Sequence, residues 1–99
     1  MSEELVGTVS VDSGQILLID PCYITKDFEG EYDESVAKTE LNYAACCNVT
    51  CDDLSVGEVG TLGVVTRSGY GDGMYPVYAT RRAGRIVGIR IDFDPQEDF

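Results

Sequence analysis

Along the chain, short runs of alternating apolar and polar positions are separated by glycine, proline and aspartate clusters, a pattern that predicts strands joined by turns. Residues 5–11, LVGTVSV, place Leu5, Gly7, Val9 and Val11 on one face of a strand. Asp12, Ser13 and Gly14 read as a turn in which Gly14 takes a positive φ, and QILLID, residues 15–20, follows as a second strand. Together they are expected to form a hairpin. The ILLI run is apolar on both faces, which places that strand centrally, and Asp20-Pro21 ends it because proline lacks a backbone donor and holds its predecessor extended.

The stretch 22–34, CYITKDFEGEYDE, is a polar, irregular connection with scattered aromatics. In residues 34–45, Ala37, Leu41, Ala44 and Ala45 have helical spacing, with Asp33 as a candidate N-cap. Leu41, Tyr43, Ala45, Cys47 and Val49 compete as a strand, so the segment is read as a short helix or turn leading into a strand. CDDLSVGEVG is a turn-rich connection, TLGVVT at 61–66 a strand, RSGYGDG a glycine-rich loop, and MYPVYAT at 74–80 the next strand. Pro76 marks an edge, a bulge or a ligand-facing position there. RRAG turns the chain with Gly84 left-handed, and RIVGIRIDF shows the clearest period of two. It sets Val87, Ile89, Ile91 and Phe93 inward and Ile86, Gly88, Arg90 and Asp92 outward. DPQEDF, residues 94–99, forms an acidic tail.

These elements predict a mainly β fold, a small antiparallel barrel or sandwich of five or six strands with at most one short helix. A parallel α/β fold needs crossover helices for which this chain has no room. With 99 residues, 43% of them apolar, the chain suffices for one modest core, so residues 1–99 are read as a single domain.

Charge narrows the partners. The chain carries 18 acidic and 7 basic side chains, a net charge of -11, which opposes nonspecific binding to nucleic acid or an anionic membrane. The bias is uneven: residues 1–50 hold ten acids and two lysines, residues 51–99 eight acids and five arginines. Anion binding is therefore expected from the second half. No apolar run reaches the roughly 20 residues that span a bilayer, and the start MSEEL lacks the basic region of a signal peptide, so the expected location is the cytoplasm. The four cysteines are then free thiols in the core or at its margin. Cys46, Cys47 and Cys51 do not follow the CxxC spacing of a zinc knuckle, there is no histidine to complete a ligand set or a Cys-His pair, and no cofactor is indicated.

GYGDGMYPVY, residues 69–78, is the stretch where chemistry is most concentrated. It is a tight connection whose Asp72 caps its own backbone, or a loop whose amides converge on an anion. It is neither a P-loop nor a dinucleotide fingerprint, since no GK[ST] and no helix start follow. As a ligand site it enlists Arg67, Gly69, Gly71, Asp72, Gly73, Tyr75 and Tyr78, with a guanidinium and loop amides holding a phosphate-bearing or polar molecule and a tyrosine stacking on it. Asp12, Asp20 and Asp72, with Asp92 as a further member, are the candidate carboxylates for a hard cation.

VDSGQILLIDPCYI, GYGDGMYPVY and GRIVGIRIDF resemble a family of small uncharacterised bacterial and phage proteins with SG, DPCY and GDGxYPVY signatures. The resemblance covers roughly the first 24 residues and residues 66–93. It carries no established activity and implies only which positions matter: Asp12, Ser13, Gly14, Asp20, Pro21, Cys22 and Tyr23, then Gly69, Gly71, Asp72, Gly73, Tyr75, Pro76 and Tyr78. The functional expectation is a noncatalytic binding protein acting through a protein partner or a homo-oligomer. The alternatives are a small-ligand module at the GYGDG loop and a metal-assisted hydrolase using Asp20 and Asp72.

Overall fold

The computed structural model describes residues 2–25, 28 and 30–95. The acidic tail expected over 94–99 lies outside the described residues from position 96 onward, as do residues 26, 27 and 29 of the polar connection. The described strands are β1 (Ser2–Val11), β2 (Gln15–Leu18), β3 (Val56–Val59), β4 (Gly63–Arg67), β5 (Gly73–Arg82) and β6 (Arg85–Ile91), with one α-helix, α1 (Tyr43–Thr50), and a 3-10 turn at Pro21–Tyr23. The fold is mainly β, as expected. The strands form two three-stranded antiparallel sheets, β1-β5-β6 and β2-β4-β3, rather than a closed barrel. No helix among the described residues is long and apolar enough to cross a membrane.

The chain divides into two compact units, residues 15–67 and residues 1–14 with 68–99. The expected β1-β2 hairpin does not form. Leu5 to Val11 pair with Tyr78 to Gly73 of β5, whereas Gln15 to Leu18 pair with Arg67 to Val64 of β4. A turn of the right composition thus joins strands of different sheets, because the partners that pair with each strand lie more than 45 residues further along and not across the turn.

In residues 15–67, β4 is the central strand and α1 packs on β3 and β4. Ala45, Cys46 and Val49 of the helix meet Val59 and Val65, and Leu17, Phe28, Val36 and Leu41 pack against that cluster. Val59 and Val65 keep 0% of their surface exposed, and burying such a side chain is worth about 1.5–3 kcal/mol. Several expectations are corrected here. The helix begins at Tyr43, not near residue 34, and the competing strand through 41–49 is absent. Asn42 supplies the cap, its side-chain oxygen accepting from the Ala45 amide at 2.8 Å. Asp33 caps only a turn, accepting from Ser35 N and Oγ at 3.0 and 2.7 Å. The connection read as turn-rich contains β3, which pairs with β4. Gly60 closes that hairpin at φ 58°, and a Cβ there would stand 2.8 Å from Leu41 Cβ.

In the other unit β5 is central. Its alternation buries Tyr75 and Ala79. Pro76 sits in this central strand and not at an edge, yet it breaks no rung. Its carbonyl accepts from the Asp92 amide at 3.1 Å, where β6 has already ended, so the missing proline donor falls beyond the last β6 pair, Val77 with Ile91. The inward face expected for β6 is also corrected. A register shift between Thr80 and Arg81 pairs Gly88 with Thr80 but Ile86 with Arg81, leaving Val87 as the extra residue. Ile86 therefore shares a face with Ile89 and Ile91. Ile86, Val87 and Ile89 are 49%, 51% and 57% exposed.

Candidate functional site

The glycine-rich loop is held from within its own unit. Ser68 is fully buried; its amide donates to Gly14 O at 3.0 Å and its hydroxyl to Gly71 O. Tyr75 reaches back from β5 and donates its hydroxyl to the same Gly71 carbonyl at 2.8 Å. Both lone pairs of that carbonyl are thus engaged. The reversal needs a left-handed Gly71, at φ 92°. The Tyr75 ring meets Phe93 edge to face, with centroids 5.4 Å apart. The Ser68 and Tyr75 hydroxyls therefore converge on Gly71 O, and Tyr75, 6% exposed, anchors the loop.

Tyr78 lies on the opposite face of β5, half-buried, with the Arg90 guanidinium 4.4 Å above its ring. Arg90 also pairs with Glu3 at 2.6 Å and Asp92 at 3.4 Å. The hydrogen bond from Arg90 holds the Glu3 carboxyl below the usual carboxylate range. Tyr70 is 78% exposed and Asp72 is exposed. A Cβ on Gly14 would stand 4.0 Å from Asp72 Oδ1, so the Asp12-Ser13-Gly14 turn and the GYGDG loop are neighbours. Of the expected ligand residues, Gly69, Gly71, Asp72, Gly73, Tyr75 and Tyr78 share this unit.

Arg67 belongs to the other unit. Its Nε donates to Thr50 O at 2.7 Å, at the C-terminus of α1, where helix carbonyls lack partners and the dipole favours a cation. No local signal marks this role, since arginine and helix end are 17 residues apart. Asp20 is in that unit too, its carboxylate accepting from the Cys22 amide at 3.1 Å to cap the 3-10 turn that Pro21 begins. The DPCY motif is thus a capped turn, and its aspartate stands in a different unit from Asp72. Among the described residues no group of three His, Cys, Asp or Glu side chains is placed to hold a metal ion.

The thiols differ in exposure, two on α1, one at its C-terminal cap and one in the 3-10 turn. Cys46 is buried, and burial, with the neighbouring Cys47 adding to it, pushes its thiol up to about 11. Cys47 accepts from Gln15 Nε2 at 3.4 Å, and Cys22 and Cys51 are exposed. All four are free. A feature that the strand pattern did not reveal is an open cavity of about 300 Å³ lined by Lys38, Asp52, Leu54, Val56 and Glu58 among others. Lys38 pairs with Asp52 there and holds its carboxyl below the ordinary value.

A family model described as "Protein of unknown function (DUF4241)" matches residues 8–91. The chain belongs to the DUF4241 family. No curated protein and no solved structure matches it. The DUF4241 region runs without a break through the middle segment that the short motifs leave out. It takes in α1, β3 and β4 together with the loop and β6. Residues 2–7, including the exposed Leu5 and Val6, precede it.

Proposed function

We propose that this DUF4241 chain is a noncatalytic binding protein that acts by protein–protein interaction, with the outer edge of β6 and its apolar face as the contact. The observation that supports this reading is the exposure of Ile86, Val87 and Ile89 on a strand whose sequence is patterned to be buried. β6 is the last strand of its sheet among the described residues, so one side presents backbone donors and acceptors in a row. An added strand satisfies those groups through main-chain hydrogen bonds, and alternate aliphatic side chains supply the apolar contact. Arg85 and Arg90 near the ends of β6 limit unspecific pairing and suit an acidic flank on the partner.

The test is site-specific photo-crosslinking. A photoreactive residue at position 89 is expected to trap one defined protein, a second copy or a distinct partner identified by mass spectrometry, that the same residue at exposed Ser10 does not trap. The double substitution Ile86→Lys with Ile89→Lys should abolish the adduct formed from a photoreactive residue at position 87. Folded protein that gives no adduct from position 89, or the same adducts from both positions, overturns the reading.

A further inference from the structure

Three of the four cysteines belong to α1 and its C-terminal cap: Cys46 is buried, Cys47 partly exposed and Cys51 exposed. The last two are one helical turn apart. The Cys51 amide donates to Cys47 O at 2.9 Å, so the two side chains are neighbours on one helix face, with Cβ atoms about 5–6 Å apart. A disulfide needs about 3.5–4.5 Å between them. The pair is therefore spaced too widely for a direct bond and suits an atom held between the two sulfurs.

The surroundings favour sulfur as an acceptor. Gln15 Nε2 donates to Cys47 Sγ at 3.4 Å, and the other end of that amide is fixed because Gln15 Oε1 accepts from the buried Thr50 hydroxyl at 2.9 Å. A donor held in this way against a ligating atom orients it and tunes its affinity for a metal. Tyr32 stands close enough to feel both thiols: its phenol is pushed up, first by desolvation and then by repulsion from Cys51, Glu34, Cys47 and Asp33 once they are ionised. Arg67, donating to Thr50 O at 2.7 Å, puts a positive charge at the same helix end. Among the described residues no third His, Cys, Asp or Glu completes a larger ligand set, which leaves out the tetrahedral site that zinc takes. Soft thiolates select Cu(I), a d10 ion that is satisfied by two ligands.

We propose that Cys47 and Cys51 form a two-thiolate site for a soft monovalent cation, Cu(I), with Gln15 as the donor that positions Cys47. Both thiols release their protons to water as the two Cu–S bonds form, the copper stays Cu(I), and no oxidant or reductant takes part. Arg67 offsets the negative charge that the two thiolates leave on the complex. The site lies within residues 15–67, whereas the protein contact proposed above uses β6 of the other unit, so each stands without the other.

The test is titration of the reduced full chain with Cu(I), without oxygen, in competition with the chromophoric chelator bicinchoninate. Uptake of a single Cu(I) per monomer is expected, weakened about tenfold or more in Cys47→Ser and in Cys51→Ser, since even the loss of an outer-shell partner costs that factor. Cys22→Ser, which removes the exposed thiol of the 3-10 turn, should leave affinity within about twofold. In the parent chain bound Cu(I) should protect Cys47 and Cys51 from alkylation by iodoacetamide, mapped by mass spectrometry, while Cys22 still reacts. No uptake from the chelator, undiminished affinity in Cys51→Ser, a copper-bridged dimer, or Cys47 and Cys51 left open to alkylation would each overturn the site. If Cys47→Ser does not fold, the exposed Cys51→Ser variant and the protection pattern of the parent decide the question by themselves.

Discussion

In residues 15–67 a helix lies on the sheet β2-β4-β3, and Val59 and Val65 at its centre retain no exposed surface. In the unit of β1, β5 and β6, where no helix occurs among the described residues, Ile86, Val87 and Ile89 stay about half exposed. The strands are alike in composition, β-branched and short. What separates them is a cover. An alternating strand supplies one apolar face, and that face contributes to stability only where another layer removes it from water. The first unit encloses Val49, Val59 and Val65 between its helix and its sheet, while Ile86, Val87 and Ile89 of the second stay about half exposed.

Substitutions can break this comparison. The largest effect is expected at the covered sheet, where Val65→Ala should cost about 2 kcal/mol by urea unfolding, and Ile89→Ala on β6 less than about 0.5 kcal/mol. Equal losses would mean that β6 is buried in solution. Next come the two loop glycines. Gly60→Ala combines a left-handed φ with a Cβ 2.8 Å from Leu41, so a cost of about 2 kcal/mol is expected. Gly71→Ala, at φ 92° with nothing within 4 Å, should cost only the backbone term of about 1 kcal/mol.

Tyr75→Phe is a smaller change. It removes one donor from the Gly71 carbonyl while Ser68 remains, so a loss of about 1 kcal/mol is expected, with faster amide exchange confined to residues 69–72. Unchanged exchange would show that the hydroxyl does not order the loop. The smallest effects belong to exposed ion pairs, one in each unit. Arg90 lowers the Glu3 carboxyl and Lys38 lowers that of Asp52. A depressed carboxyl adds stability that is present above its unfolded value and is lost as pH falls through the folded one. In acid unfolding, Lys38→Met and Arg90→Met should therefore be slightly less stable than the parent above pH 3.8 and 4.5 respectively, the ordinary values of Asp52 and Glu3, with the difference fading as pH falls from there through the lowered folded values. Both differences should shrink in high salt.

Strand content, the positive φ at Gly14 and Gly84, and the turn at Asp20-Pro21 follow from the sequence, because local sterics and the period of two act over a few residues. The central place of β5, the separation of β1 from β2, and the register shift that turns Ile86 onto the face of Ile89 come from tertiary structure, since pairing depends on partners far along the chain. The same distinction holds for the site. GYGDG was legible as a loop needing glycine, but not as one tied to Tyr75 and Ser68. Arg67 was legible as a cation, but not as the cap of a helix that begins 24 positions earlier. Residue type and local spacing determined which groups were available; long-range pairing decided what each of them meets, because a contact between distant positions leaves no periodic trace in either segment.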